Sequence, residues 1–237
     1  MEWRDEGFLL ETRLHGEADA RIEVFSALHG RHVGMVRGGG SRRMAPVLQP
    51  GAQLDLTWRA RLEEHMGTFT AELVRSRAAI VLEDRLALAG LASICALCRY
   101  ALPERMAYPG LYAATCALLD RLGQDGWLRD YCLWELQLLE ETGFGLDLAQ
   151  CAVTGAVDDL AYVSPRTGRA VTQIGAGDYA TRLLVYPQAL LSGHGFDLEG
   201  ARTALDLSGF FLHHWLAESL GRPIPEPRAR LIAMLGK

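Results

Sequence analysis

Hydrophobic and polar residues alternate with a period of two through most of the first 78 positions. The five clearest runs are residues 7–13, 21–25, 33–36, 54–61 and 69–74. Successive side chains of a β-strand point to opposite faces, so this period indicates strands with one face buried and the other exposed. Five short strands in this part of the chain predict a small closed barrel.

The period changes to that of an α-helix after Glu83. Apolar residues recur every three or four positions in residues 111–122, 127–138 and 205–220, which predicts amphipathic helices. Residues 151–177 follow neither period and are rich in turn-forming residues. We therefore expect helices interrupted by one small, irregular insert.

These patterns predict two domains in one chain of the α+β class. A five-stranded barrel of the oligonucleotide-binding (OB) type occupies residues 1–79, and a mainly α-helical domain occupies residues 80–237. With 237 residues, 49% of them hydrophobic, the chain can bury cores for both. It has no signal-peptide pattern and no apolar run long enough to cross a bilayer, so we expect a cytoplasmic protein without a membrane partner.

The distribution of charge singles out one segment. The whole chain carries a net charge of −5, whereas residues 31–61 contain six arginines and a single acid, Asp55. Three of these arginines lie in Val36-Arg-Gly-Gly-Gly-Ser-Arg-Arg43, which joins two predicted strands and is called the arginine loop below. Guanidinium groups bind phosphates in bidentate fashion, so a basic barrel loop indicates a nucleic-acid surface. An acidic chain is not expected to coat nucleic acid indiscriminately, because that behaviour usually needs a domain pI above about 9.

Five arginines of this segment are the predicted DNA-contact residues. They are Arg37, Arg42 and Arg43 of the arginine loop and Arg59 and Arg61, which we expect on the outward face of the fourth strand. Glycines 38–40 would let the backbone approach a ligand closely. The alternative is an ordinary solvated strand face, and composition alone does not separate the two.

The cysteines and histidines favour structural roles. Five cysteines, an odd number set mostly in apolar helical patterns, argue against a disulfide framework. Cys95 and Cys98 have the spacing of half a metal site, but the chain contains no second CxxC, so we interpret them as core residues. His29 and His32 flank a predicted turn, where packing roles are more common than metal binding.

No sequence signature of catalysis is present. The phosphate-binding loop, the dinucleotide-binding turn, the HExxH helix and the GxSxG elbow are all missing. The nearest group of titratable residues, Glu140, Glu141 and Asp147, is better explained by exposed helical carboxylates. We therefore expect neither enzymatic activity nor a catalytic residue or cofactor. An aromatic stripe in residues 127–134 is more often core than an exposed partner groove.

Taken together, these features resemble the RecO family of bacterial DNA repair and recombination mediators. The resemblance rests on the barrel with its arginine loop and Leu48-Gln-Pro50, on the helical remainder, on Leu138–Phe144, and on Cys151-Ala-Val-Thr-Gly155. It covers essentially the whole chain, and the order and spacing of the motifs are more specific than any one of them. It implies an OB-fold DNA-binding domain followed by an α-helical domain.

The family often carries a four-cysteine zinc module, and here the chain departs from it. The resemblance places ligands at positions 151 and 154 and a second CxxC near residues 172–175, yet only Cys151 is a cysteine. One thiolate cannot hold a tetrahedral zinc ion. We therefore expect the 151–177 insert to be a metal-free relic held together by packing of Leu160, Tyr162 and Val171.

The resemblance also implies the function and the partners. Family members bind single- and double-stranded DNA, anneal complementary strands, and work with RecR in the RecF pathway to load RecA onto DNA covered by single-stranded DNA-binding protein (SSB). The implied partners are DNA, RecR and the acidic, hydrophobic C-terminal tail of SSB, with RecA affected indirectly. The implied location is the bacterial cytoplasm, at the nucleoid during repair. The alternative that a basic barrel equally allows is a generic OB-fold RNA-binding or ribosome-associated factor.

Overall fold

The computed structural model describes residues 1–236, without the side chains of residues 79 and 80. Lys237, the last residue of the predicted helical domain, lies outside the described residues. The chain forms two compact units, Met1–Asp125 with Pro225–Leu231, and Gly126–Ile224 with the residues from Ile232 onward. The boundary placed after residue 79 stays a prediction.

The first unit contains a closed barrel of five strands. They are β1 (Glu2–His15), β2 (Asp19–Ser26), β3 (Gly30–Val36), β4 (Gln53–Arg59) and β5 (Thr68–Arg75). The barrel closes in the order β1-β2-β3-β5-β4, and its pairs are antiparallel except for a parallel bridge between β3 and β5. The predicted five-stranded OB barrel is confirmed.

The alternating residues of the sequence fill the barrel as expected. In β4, Leu54, Leu56 and Trp58 are buried, whereas the residues between them are half-exposed. β1 is longer than predicted because it serves two neighbours: its first half pairs with β4 and its second half with β2. The outer part of β5 departs from the pattern, since Leu73 and Val74 are both exposed.

Three helices complete this unit around the barrel. They are α1 (Ala78–Val81), α2 (Arg85–Ala101) and α3 (Pro109–Arg121). The Asp84 carboxylate caps α2 by accepting hydrogen bonds from two backbone N–H groups of the first turn. The Tyr112 ring of α3 packs against Phe8 and Phe25, and its hydroxyl accepts a hydrogen bond from Gln53 at 2.9 Å. The helices therefore cover barrel surface that would otherwise expose apolar rings.

A buried ion cluster also ties the barrel to α2. The carboxylate of Glu23, which is 3% exposed, pairs with the guanidinium of Arg31 and accepts a hydrogen bond from Arg99 Nε at 3.1 Å. Arg31 Nε in turn donates to the Leu102 carbonyl at 2.7 Å. Arg31 was one of the six arginines of the basic segment, but its charge is neutralised inside the fold.

The second unit is mainly helical, as predicted. Its helices include α4 (Trp127–Glu141), α5 (Gln173–Ala176), α6 (Gln188–Ser192) and α7 (Leu198–Phe211), which continues through a π-helical turn (Leu212–Ala217) into α8 (Glu218–Leu220). The last helix, α9 (Glu226–Leu235), carries residues of both units. The aromatic side chains of residues 127, 131 and 134 on α4 are buried, so the aromatic stripe belongs to the core.

The insert is more regular than predicted. It contains strands β6 (Leu160–Val163) and β7 (Ala170–Thr172), which form a small sheet with β8 (Leu184–Val185), and a 3₁₀ helix (Gly177–Arg182) follows α5. Strands of two to four residues are too short to show a period in the sequence. Within the described part of the chain, no helix has both the length and the apolar character needed to cross a membrane.

Candidate nucleic-acid interface

The arginine loop begins at the end of β3 and is held in a defined conformation. The Gly38 N–H donates to the Asp19 carboxylate at 2.9 Å, and the Gly40 N–H donates to the Ala18 carbonyl at 2.8 Å. Ala18 lies in the turn between β1 and β2, and Asp19 is the first residue of β2. Three exposed side chains project from the loop and form no ion pair with a described residue: Arg37, Arg42 and Arg43. Their full charge is available to solvent or to a ligand.

The glycines of this loop have a structural reason that the sequence did not reveal. Gly38 adopts a φ of +67°, which other residues rarely tolerate. A Cβ on Gly39 would lie 2.7 Å from the Cβ of Ala20. The left-handed backbone accounts for Gly38, and close packing against Ala20 of β2 accounts for Gly39, so neither glycine needs the approach of a ligand to explain it.

Arg59 and Arg61 occupy different environments. Arg59 is the last residue of β4 and faces outward as predicted, whereas Arg61 lies beyond the end of the strand, where the chain turns back towards β5. Arg59 Nη2 donates to the Glu2 carboxylate at 2.8 Å, and this hydrogen bond raises the pKa of Arg59 and lowers that of Glu2. Arg61 is exposed and forms no ion pair with a described residue.

Closure of the barrel brings the end of β4, at Arg59, close to the start of the arginine loop. Arg59 is paired with Thr68 in the β4–β5 ladder, and Thr68 is bridged to Met35 of β3. Arg37 follows Met35 by two residues. The structure therefore places all five predicted arginines on the surface, with Arg59 partly neutralised by Glu2. Their contact with DNA stays a prediction.

An aromatic cluster next to Arg59 was missed by the sequence reasoning. The Trp3 ring stacks on His29 with centroids 4.0 Å apart and lies nearly parallel to Trp58 at 5.9 Å. The His32 ring stands edge-on to Trp58 at 4.8 Å. Trp3 pairs with Trp58 and Glu2 with Arg59 at successive positions of one ladder. Only the register between β1 and β4 reveals this proximity, because 55 positions separate the two tryptophans in the sequence.

His32 is the unusual member of this cluster. It is 4% exposed, and neither ring nitrogen has a hydrogen-bond partner among the described residues. Burial lowers the pKa of His32 to about 4, assisted by the positive charge of Arg105 and by His29. The ring is therefore neutral at pH 7, with one nitrogen as donor and the other as acceptor.

This depressed pKa predicts a pH dependence of stability. Histidine in the unfolded chain binds a proton near pH 6.5, whereas His32 in the folded state does so only near pH 4. As the pH falls through this window, protonation favours the unfolded state, so stability present at pH 7 is lost. In denaturant titrations at pH 7, 5.5 and 4.5, we expect wild-type protein to lose more stability than His32→Phe. Parallel pH profiles for the two proteins would contradict this.

The residues at the four zinc positions converge, but they do not fit a zinc ion. The Cys151 sulfur accepts hydrogen bonds from the backbone N–H groups of Thr154 and Thr172 at 3.3 Å, and it lies 3.5 Å from the Thr172 hydroxyl. A side chain at Gly175 would begin 3.1 Å from the same sulfur. Threonine hydroxyls and a glycine supply no thiolate or imidazole. No group of three or more potential metal ligands occurs among residues 1–236.

Packing and hydrogen bonds hold the insert together instead. Val171, Leu160 and Tyr162 pack with Cys151, as predicted. Burial tends to raise the pKa of the Cys151 thiol, but hydrogen bonds from Thr154 and Thr172 outweigh it and lower the pKa to about 6. Hydrogen bonds, rather than a neighbouring cation, thus stabilise the thiolate form of Cys151.

This chemistry predicts that the purified protein contains far less than one equivalent of zinc. Elemental analysis after dialysis measures it, and the melting temperature should be unchanged by EDTA because no metal supports the insert. Near-stoichiometric zinc, or a fall in melting temperature on chelation, would contradict the prediction.

The other candidate sites are part of the protein core or the ordinary surface. Cys95 and Cys98 are buried on α2, where burial raises the pKa of Cys95 to about 12 and that of Cys98 well above its ordinary value. Their interpretation as core residues is confirmed. Of the three acidic residues considered above, Glu140 is exposed and Asp147 pairs with Arg169 at 3.2 Å.

Comparisons with known proteins agree along the whole chain. The family model "Recombination protein O N terminal" matches residues 1–77, and "Recombination protein O C terminal" matches residues 82–227. A DNA repair protein RecO from Cereibacter sphaeroides is 58% identical over 238 residues, which cover 100% of this chain and 99% of the relative. The DNA repair protein RecO of Dinoroseobacter shibae is 56% identical over 239 residues, covering 100% of this chain and 99% of the relative.

Another relative extends this agreement to a further genus. The DNA repair protein RecO of a Jannaschia species is 57% identical over 236 residues, covering 99% of this chain and 96% of the relative. Both family models and these full-length relatives point to the same assignment, which the order of barrel, arginine loop and helical unit supports. This chain belongs to the RecO family of DNA repair proteins.

Proposed function

We propose that this protein is a recombination mediator that binds single- and double-stranded DNA and anneals complementary strands. With RecR, it helps to load RecA onto SSB-coated DNA in the RecF pathway. The observation that carries the proposal is the arginine loop on the barrel of a RecO-family protein, whose Arg37, Arg42 and Arg43 side chains are exposed and form no ion pair with a described residue. We place its action in the bacterial cytoplasm, at the nucleoid during repair.

The proposed mechanism needs no covalent step and no enzymatic activity. Arginines that contact phosphates release condensed counterions, so affinity falls steeply as salt rises. Two strands whose charges are neutralised on one surface are held close enough to pair, which accounts for annealing. Phosphate contacts carry no sequence information, so binding should be independent of sequence.

Replacing Arg42 and Arg43 together by alanine should weaken binding about equally for DNA of different sequences. Loss of two phosphate contacts should flatten the slope of log K against log salt by about 1.8 for duplex and about 1.4 for single strands. Fluorescence anisotropy across a salt series measures both quantities. Arg166→Ala with Arg182→Ala is the matched control, since it removes the same charge from exposed positions of the second unit. An unchanged slope in the Arg42/Arg43 variant would remove those residues from the interface.

Annealing of SSB-coated complementary oligonucleotides, with and without RecR, tests the function as a whole. We expect this protein to accelerate annealing, and RecR to be required for transfer of SSB-coated single strands to RecA. A generic RNA-binding factor has no reason to do either. Absence of annealing together with tight binding to structured RNA would favour that alternative.

The SSB contact is a separate part of the proposal. An acidic, hydrophobic tail suits an apolar groove rimmed by arginines, by charge complementarity. We expect saturable binding of a labelled SSB tail peptide in fluorescence anisotropy, weakened by salt. No saturable binding by the intact protein would count against this partner, while leaving the DNA-binding proposal open to its own test.

A further inference from the structure

We propose that the aromatic pocket beside Arg59 receives one unpaired base of single-stranded DNA. The pocket is a cavity of about 390 Å³ bordered by Trp3, His29, His32, Trp58 and Arg105, with Glu2 and Glu63 at its edge. Its volume falls in the range of small-ligand sites. The inference rests on the proposed DNA binding and adds a base contact to the phosphate contacts argued above.

The wall of the pocket is a stack of aromatic rings. His29 and Trp3 are parallel within 6°, and Trp3 and Trp58 within 20°. Bases of any sequence can pack against such rings, because every base has a π-face. Trp3 is half-buried and the His29 side chain is 30% exposed, so the stack is accessible from the barrel surface. The wall therefore offers a flat aromatic surface next to the predicted phosphate contacts.

His32, one of the lining residues, is a polar group that the fold leaves unsatisfied. His32 is more than nine-tenths buried, and both of its ring nitrogens lack a hydrogen-bond partner among the described residues. Burying such groups without partners is costly, and a ligand that supplies the hydrogen bonds removes that cost. A neutral imidazole offers one donor and one acceptor, and base edges carry donors and acceptors side by side. The chemistry of His32 therefore matches a base edge.

The charges at the mouth favour a neutral group as the occupant. Arg105 holds the segment between β4 and β5 through hydrogen bonds from its guanidinium to the carbonyls of Glu63 and His65. The carboxylate of Glu2 pairs with Arg59, and the Glu63 side chain adds a second acid. Glu2 and Glu63 line the pocket together with Arg105 and the N-terminal residue Met1, so little net charge is left to attract an acidic peptide. A base is neutral, and its phosphate can remain outside the pocket.

The pocket would accept only a base that is free of its partner. In a duplex the base edges are paired and the faces stacked, so insertion would first require unpairing and unstacking. The pocket therefore adds affinity for single strands and none for duplex. It thereby supplies a physical basis for a preference for single-stranded over duplex DNA, which phosphate contacts alone cannot give.

The test compares wild-type protein with His32→Phe, which keeps an aromatic ring but removes both nitrogens. Anisotropy measures binding to oligothymidine, to an abasic oligonucleotide of equal length and to duplex DNA at one salt concentration. We expect the variant to lose about fivefold or more in affinity for oligothymidine, the scale of one lost hydrogen bond to a buried partner. Affinities for the abasic strand and the duplex should be unchanged. His213→Phe, at an exposed position of the second unit, should change none of the three.

Several outcomes would overturn the pocket assignment. Equal oligothymidine affinity for wild type and His32→Phe would do so, as would an equal loss on the abasic strand. A loss confined to oligouridine or to the SSB tail peptide would assign the pocket to RNA or to protein instead. Trp3→Phe, at a half-buried position, is expected to lose less affinity for oligothymidine than His32→Phe does. If His32→Phe does not fold, Trp3→Phe is measured in its place. Failure of the proposed function is distinguishable, because wild-type protein would then bind none of the DNA probes.

Discussion

Replacing Gly30 by alanine is expected to destabilise the protein by about 3 to 5 kcal/mol, or to prevent its folding. Gly30 begins β3 with a φ of +63°, and a Cβ there would lie 1.9 Å from the carbonyl oxygen of Met106. The obstacle is backbone, which cannot rotate away as a side chain can. The Arg105 N–H donates to the Arg31 carbonyl at 2.8 Å, so the same contact fixes the connection between α2 and α3 against β3.

Gly16 is the matched control for this prediction. It has the same φ of +63°, but a Cβ there would have no atom within 4 Å. Gly16→Ala should therefore lose only about 1 to 2 kcal/mol, the cost of a left-handed backbone conformation in alanine. Denaturant titrations of both variants separate backbone strain from steric overlap. Equal losses at the two positions would show that the close approach of Met106 does not limit stability.

Removing the buried carboxylate of Glu23 should have the second-largest effect. Glu23→Ala is expected to lose about 3 to 5 kcal/mol, because it leaves the largely buried Arg31 guanidinium with only Glu104, at 3.6 Å, to balance its charge. Arg31 and Arg99 both bind this carboxylate. Arg99 is 28% exposed and keeps Glu11 as a partner at 2.7 Å, so the cost of the substitution falls mainly on Arg31. The measurement is the free energy of unfolding from urea titration, supported by the melting temperature.

An exposed ion pair in the same barrel provides the comparison. The Glu2–Arg59 pair has an N–O distance of 2.8 Å, but both side chains are more than half exposed. Glu2→Ala should lower the free energy of unfolding far less than Glu23→Ala does, because solvent screens the pair and replaces its hydrogen bonds. If Glu23→Ala and Glu2→Ala cost the same, burial does not determine the strength of these interactions.

Arg31 and the arginine loop together show how far a charge pattern in the sequence predicts the charge of a surface. Counting charges in residues 31–61 correctly indicated an unusual segment, but it treated Arg31 as equivalent to Arg42. The structure separates them, since Arg31 neutralises Glu23 inside the fold, whereas Arg42 is exposed and forms no ion pair within the part of the chain that the structure describes. A linear count cannot make this distinction, because Glu23, the partner of Arg31, lies on a neighbouring strand, and Arg99, the second arginine that binds Glu23, lies on a helix 76 positions away.

The zinc positions illustrate the opposite case. The single cysteine at position 151 was enough to predict that a tetrahedral site is incomplete, since that conclusion depends only on which ligand atoms the chain contains. The sequence did not reveal that Thr154, Thr172 and Gly175 would still converge on the sulfur. That arrangement depends on the turn of residues 151–155 meeting β7 and α5.

For the fold, the sequence by itself determined the local features. Alternation of period two fixed the barrel strands and their buried faces, and the period of 3.6 fixed the long helices, because both follow from the direction in which successive side chains point. The basic loop and the defective zinc module were also evident, since residue identity alone defines them.

Only the tertiary structure decided which residues act together. The pocket of Trp3, His32 and Trp58 forms because the register between β1 and β4 and the closure of the barrel bring distant positions into contact. The same arrangement of strands places Arg59 near the start of the arginine loop and gives Arg59 its ion-pair partner, Glu2. Side-chain periodicity carries no information on register or on long-range partners, so the proposed base pocket could be recognised only in the folded chain.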